Sequence, residues 1–300
     1  METDFSKNRS NYLSYLCSVR KLSDNSIRAY TYDLKLLEDF LKSEKLDFEN
    51  LESKKVRSFV GSLGRKKLSE ASINRVISSI KSFYKYCIRY DILEINPFAH
   101  VRSISNTRKI PDVLSFAEIG KMIDLTDNTF LGIRDRVILE LLYSTGCRVS
   151  ELTRLKVKDI DLKKRMALVY GKGGKERWVF LTRGTAEELI SYLPLREKYK
   201  LKSGSYEEGF LLLNIKGGFL SVRGVRYIIN KYIHAIGVEK HVSPHTFRHT
   251  FATHMLNNGA GIRVVQELLG HSSIATTQVY THVGMDRLKD VYRAAHPHGR

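Results

Sequence analysis

Cysteine is scarce: three residues in 300 cannot organise a fold. Cys17, Cys87 and Cys147 lie 70 and 60 residues apart, in no CxxC or zinc-ligand spacing, and an odd number makes a poor disulfide framework. They are expected to be reduced core thiols of a cytoplasmic protein. Long apolar runs are missing too. Stretches such as VILELLY at 137–143 are far short of the roughly 20 residues needed to cross a bilayer. The opening METDFSKNRS is too polar for a signal peptide. No GxxxxGK[ST] phosphate loop occurs, so GKGGK at 171–175 is not a nucleotide cradle. Internal repeats and low-complexity segments are absent as well. These absences argue against a disulfide scaffold, a membrane protein, a P-loop enzyme and a solenoid.

Positive charge is what the chain has in excess. Fifty Lys and Arg face 32 Asp and Glu, a formal net of +18. Up to residue 110 there are 21 basic and 13 acidic residues, and after it 29 and 19, giving excesses of +8 and +10. Both halves are basic, with no detachable basic tail, which points to a polyanion held by both, nucleic acid foremost; a basic protein kept soluble by its surface charge is the alternative.

Apolar spacing predicts a mainly α fold with a small antiparallel β-sheet. In SEASINRVISSIKSFYKYCIRY, residues Ile73, Val76, Ile77, Ile80, Phe83, Tyr84, Cys87 and Ile88 keep the period of one helix face, with Arg75, Lys81, Lys85 and Arg89 off the stripe. Singly these read as a solvated surface; together they could line a phosphate backbone. A similar stripe runs through SIRAYTYDLKLLEDFLKS. Two of the five prolines, Pro97 and Pro111, fall in or beside a polar, basic stretch. The expected division is a helical domain over 1–95, a linker over 96–110 and a second domain over 111–300. Ser115 and Glu118 fit a capping box opening the second domain. RMALVYGKGGKERWVFL reads as two strands around a Gly-rich turn.

Several short stretches could carry chemistry. HTFRHTFATHM at 245–255 puts His245, Arg248 and His249 on one helix face. The glutamate of HExxH is missing and an arginine would repel a cation, so the stretch suits an anion better than a metal. Two helix histidines with private hydrogen bonds is the plainer alternative. In STGCRVSEL, Arg148 stands three residues before Glu151, which could hold it; a surface salt bridge is the alternative. Lys172 lies at the tip of the expected hairpin, where a lysine is usually only solvated but could also protonate a leaving oxygen. LLGHSSIATTQVYTHV carries His271 and Tyr280, by default a cap and a packing residue.

Jointly, Arg148, Lys172, His245, Arg248, His271 and Tyr280, in this order and within the words TGCRVSEL, GKGGKER, HTFRHTFATHML and LLGHSSIATTQVYTHV, resemble the active site of the tyrosine recombinase (phage-integrase) family. The resemblance is to its Xer branch of XerC and XerD type and covers nearly the whole chain. It implies a two-domain DNA clamp: a helical core-binding domain and a mixed α/β catalytic domain. It further implies strand exchange by two transesterifications with Tyr280 as nucleophile, and neither metal nor other cofactor. Arg148 and Arg248 would clamp the phosphate, His271 would add a hydrogen bond, His245 would assist proton transfer and Lys172 would act as general acid. His249 and His254 would pack or support. The implied partners are a dif-like DNA site, a homo- or hetero-tetramer with a second Xer-type recombinase, and an FtsK-type DNA translocase. A non-catalytic DNA-binding protein on this fold, a metal-dependent nuclease and a type IB topoisomerase are the rival readings.

Overall fold

The computed structural model describes residues 4–104, 112–171, 174–203, 209–240, 242–270 and 282–299, with the side chains of 201–203 and of 282–283 left aside. The chain divides into two compact units, Met1–Lys109 and Ile110–Arg300.

Unit 1 is helical: α1 (Asp4–Ser18), α2 (Asp24–Glu44), α3 (Ser53–Arg65) and α4 (Glu70–Arg89). Serine caps start two of them, Ser23 accepting from the Ser26 N–H and Ser69 from that of Ser72. The α4 stripe forms the centre of the core: Val76, Ile80, Phe83 and Tyr84 are fully buried beside Leu34 and Leu37 of α2. Most of the basic residues flanking that stripe hold unit 1 together. Arg75 donates to the buried Asp33, which also accepts from Ser79. Lys81 donates to the carbonyls of Ala99 and Val101, and Arg89 to the Tyr15 hydroxyl. The stretch expected to begin a linker at residue 96 is strapped to α4. Phe98 is fully buried in the unit 1 core, and the Asn74 side chain makes both hydrogen bonds to the backbone of Ile104. A large aromatic side chain among polar neighbours was the signal for this. The expectation of three core thiols needs a correction, because Cys17 is exposed. The buried face of α1 runs through Phe5, Tyr12 and Leu16, and Cys17 lies a further 100° round the helix.

Unit 2 opens with α5 (Phe116–Asp124), started by the Ser115–Glu118 capping box. Next come α6 (Phe130–Thr145), buried almost all round from Arg134 on, and the short α7 (Val149–Arg154). A three-stranded antiparallel sheet follows in the order β1 (Ile160–Asp161), β2 (Met166–Tyr170), β3 (Glu176–Phe180). In it Leu168 pairs with Trp178 and Tyr170 with Glu176. Helices α8 (Arg183–Ser203), α9 (Val222–Ala235), α10 (Pro244–Asn257), α11 (Ile262–Leu269) and α12 (His282–Ala295) complete the unit. Two apolar clusters meet at α10. Phe247 joins the larger one under α6, while Phe251 and Met255 join a smaller one with α11 and α12. A helix buried on two sides has little amphipathic period, which is why HTFRHTFATHM reads so ambiguously in sequence. Among the described residues no helix is long and apolar enough to cross a membrane.

Candidate active site

The end of α6 sets the first side chain. Gly146 caps the helix with φ +57, its N–H bonded to the Leu142 carbonyl. The chain then reverses, so that Arg148 becomes the N-cap of α7. Glu151, at the third position of α7, reaches back: one carboxylate oxygen accepts from the Arg148 backbone N–H at 2.8 Å, the other from its guanidinium at 2.9 Å. Arg148 is thus held by a buried carboxylate while its own side chain stays partly open.

Arg248 comes from α10, started by Pro244 at its first turn and by Ser243, whose hydroxyl accepts from the Thr246 N–H. The Arg248 guanidinium donates to the Gly146 carbonyl at 2.9 Å and to the Leu269 carbonyl at 2.8 Å. Both acceptors are at helix ends, where carbonyls lack intrahelical partners and the helix dipole favours a cation. Two of its five N–H donors are thereby used and the rest remain for a ligand. Burial, followed by the like charges of Arg148 and Arg177, pushes the Arg248 pKa down to about 10. His245, one turn earlier on α10, is exposed.

The structure adds a residue that sequence reasoning missed. Arg177, on β3, is buried and forks onto Glu151 at 2.9 and 2.8 Å. The β-strand alternation carried the signal: Glu176 and Trp178 face out, so Arg177 faces in with Val179. Burial alone would raise the Glu151 pKa; its bonds to Arg177 and Arg148 more than offset this and hold it below the ordinary value. Three guanidiniums against one carboxylate leave a local excess of two positive charges. An arrangement of that kind is relieved by an anion. Among the described residues no group of His, Cys, Asp and Glu could hold a metal ion.

The structure therefore brings Arg148 and Arg248 together around one carboxylate and one turn, with His245 on the helix that carries Arg248. Lys172, His271 and Tyr280 lie outside the described residues, but the neighbours of the first two are in place. Gly171 closes the β2–β3 hairpin with an N–H bond to the Lys175 carbonyl at 2.7 Å, and Gly270 caps α11 with φ +67. His254 accepts or donates a hydrogen bond with the Tyr143 hydroxyl at 2.9 Å, a packing role as expected.

Gly146 offers a direct test of this local architecture. A Cβ built there would stand 2.5 Å from the Phe251 ring and 3.0 Å from Leu269, besides the left-handed backbone. Gly146→Ala is expected to destabilise the protein by roughly 2 kcal/mol or more, from αL strain and overpacking together. Chemical denaturation monitored by circular dichroism would measure it, and unchanged stability would mean that the turn is not packed as described.

Comparison with known proteins gives concordant matches. Residues 112–287 match the Phage integrase family, and residues 10–91 match the phage integrase N-terminal SAM-like domain. The chain is 40% identical over 297 residues to the tyrosine recombinase XerC of Treponema denticola, covering 96% of this chain and 97% of that one. It is also 40% identical over 288 residues to the XerC of Oceanobacillus iheyensis, covering 95% and 94%. Among solved structures, XerH site-specific recombinase bound to a palindromic difH substrate, in a post-cleavage complex, superposes with a TM-score of 0.72 at 23% identity, over 94% of this chain and 83% of that one. A lambda integrase dimer bound to a COC′ core site gives 0.69 at 19% identity, over 91% and 98%. At those identities the two structures speak for the fold.

Proposed function

This chain belongs to the phage integrase family and is a site-specific tyrosine recombinase, and from that premise we propose how its own residues divide the work. Unit 1 and unit 2 serve as the core-binding and catalytic domains on double-stranded DNA. The Tyr280 hydroxyl attacks the scissile phosphorus. A 3′-phosphotyrosyl bond forms, the bond to the 5′-oxygen breaks, and the 5′-oxygen takes a proton from Lys172. In the second step a 5′-hydroxyl from the partner strand attacks the same phosphorus and displaces the tyrosine. Phosphoryl transfer needs positioning and charge neutralisation above all. Arg148 and Arg248 bind the two non-bridging oxygens, His271 adds a hydrogen bond, and His245 assists proton transfer at the tyrosine. Energy of the broken phosphodiester is stored in the phosphotyrosyl bond, so neither nucleotide nor metal enters.

The observation that carries this reading is the cluster of Arg148, Arg177 and Arg248 at Glu151. Three guanidiniums and one carboxylate leave an excess of two positive charges to meet the charge that builds up on the phosphoryl oxygens in the transition state, and the Arg248 pKa, lowered by burial first and by Arg148 and Arg177 next, marks a crowded cation that an oxyanion would stabilise. The biological role we infer is resolution of chromosome dimers at a dif-like site in the cytoplasm. It would act there as a homo- or hetero-tetramer with a second Xer-type recombinase, under an FtsK-type translocase. Relatives named tyrosine recombinase XerC support recombination as the reaction behind this role.

The test is to denature cells producing the protein, recover DNA covalently attached to it, and sequence the joined ends. Adducts are expected at one chromosomal site. With purified protein and that site, adduct formation should persist in excess EDTA and without ATP. Loss of cleavage on chelation, with DNA binding intact, would support a metal-dependent nuclease instead.

A further inference from the structure

We infer that Arg177 is a positioning residue of the recombination reaction: it touches no phosphate but fixes, through Glu151 and the C-terminus of α11, the groups that do. The inference rests on the proposed role of Arg148 at the scissile phosphate.

Four contacts support it. The Arg177 fork occupies one lone-pair site on each Glu151 oxygen, leaving the others for the Arg148 backbone N–H and guanidinium. Its Nε donates to the Leu268 carbonyl at 3.3 Å. Gly270 lies flat against its stem, so that a Cβ there would stand 2.8 Å from Arg177 Cδ. Gly171 is near as well, where a Cβ would come 3.5 Å from Glu151 Oε1 and 3.9 Å from an Arg177 nitrogen. One buried guanidinium therefore bonds the holder of Arg148 and lies near the residues that precede Lys172 and His271. At the end of α11, the carbonyls of Leu268, Leu269 and Gly270 accept in turn from Arg177, Arg248 and Arg148. Arg148 is partly open and Arg248 commits two of its donors to carbonyls, whereas Arg177 is buried and commits three, all to protein groups.

A planar fork that bonds a carboxylate and a carbonyl at once does what a lysine cannot. It also keeps Glu151 ionised. The groups facing that carboxylate are Arg148 and Cys147 at the start of α7, Arg177 on β3 and Arg248 on α10. The Cys147 thiol, pushed up to about 11 by burial, stays neutral. Without Arg177, burial prevails and the carboxyl protonates at a higher pH. Once protonated, it can no longer accept from both N–H groups of Arg148.

The experiment compares wild type, Arg177→Gln, Arg177→Lys and the double variant Arg177→Gln/Glu151→Gln. The probe is a nicked duplex carrying the site recovered from the covalent adducts. Single-turnover adduct formation is followed from mildly acidic to mildly alkaline pH, alongside DNA affinity and circular dichroism. Arg177→Gln should bind DNA like wild type and cleave on the order of 100-fold more slowly, the cost of misplacing a catalytic group. Its rate should fall more steeply than the wild type's as pH falls, an added acid limb. The double variant should lose that limb, because the titrating carboxyl is gone, and Arg177→Lys should recover part of the rate. The inference is overturned by a wild-type rate in Arg177→Gln, by a slowing that is the same at every pH, or by a lysine variant no faster than the glutamine one. Unfolding of both single variants would assign Arg177 to stability alone and overturn it too. Failure of the wild type to form any adduct would instead count against the assignment of Tyr280 and Arg148.

Discussion

Tyr280→Phe is expected to abolish covalent attachment to DNA while leaving binding almost untouched. Only a hydroxyl is removed, so affinity should change by at most about 1.5 kcal/mol, the net worth of one hydrogen bond. Cleavage loses its nucleophile, and the fall should be on the order of 10⁴-fold or more. Denaturing electrophoresis of protein with the recovered site measures the first quantity, and a binding titration at fixed salt the second. An alternative nucleophile would have to be another tyrosine of unit 2, and Tyr292 is nearest in sequence to the motif. It is disqualified by its surroundings. Its hydroxyl donates to the Ser144 carbonyl at 3.0 Å, it is 2% exposed, and burial holds its pKa well above the ordinary tyrosine value. A retained adduct in Tyr280→Phe would therefore overturn the assignment of the nucleophile and of the segment that carries it.

The second large effect separates the general acid from the phosphate clamp. A substrate with sulfur in place of the bridging 5′-oxygen departs as a thiolate and hardly needs a proton. Lys172→Ala should cleave the ordinary site poorly and the sulfur-containing site at nearly the wild-type rate. Arg248→Ala should stay slow on both, by about 10²- to 10³-fold, because its guanidinium stabilises charge at the phosphorus whatever group leaves. Its loss would also leave the Gly146 and Leu269 carbonyls without their donor. If sulfur rescues Lys175→Ala and not Lys172→Ala, the acid is Lys175, on the same hairpin. If it rescues neither, the hairpin lysines only contact DNA.

The helices of unit 1 were legible because their burial is one-sided. A stripe such as Val76, Ile80 and Phe83 has one face to satisfy and repeats with the helix period. The capping box at Ser115 was legible because it depends on two residues three apart. Less was legible where side chains serve distant partners. Nothing local tells that Arg75 and Lys81 bind a carboxylate and two carbonyls rather than face solvent. The pairing of Arg148 with Glu151 could be anticipated from a three-residue spacing, whereas Arg177 reaches Glu151 across 26 positions. The alternating pattern of β3 marks Arg177 as inward-facing, but only the tertiary fold says what it meets there. Lys172, His271 and Tyr280 rest on their motifs.

The contacts of Arg248 have a consequence for synthesis of the protein. This arginine is held by carbonyls 102 residues before it and 21 residues after it in the chain. During translation, the turn at Gly146 and the strand bearing Arg177 leave the ribosome long before the end of α11 does. Until Leu269 has emerged, Arg248 has only one of its two anchors, and the proposed nucleophile is still inside the ribosome. A nascent or prematurely terminated chain would thus carry much of the basic surface that attracts DNA, but not the assembled arginine site needed to cut it.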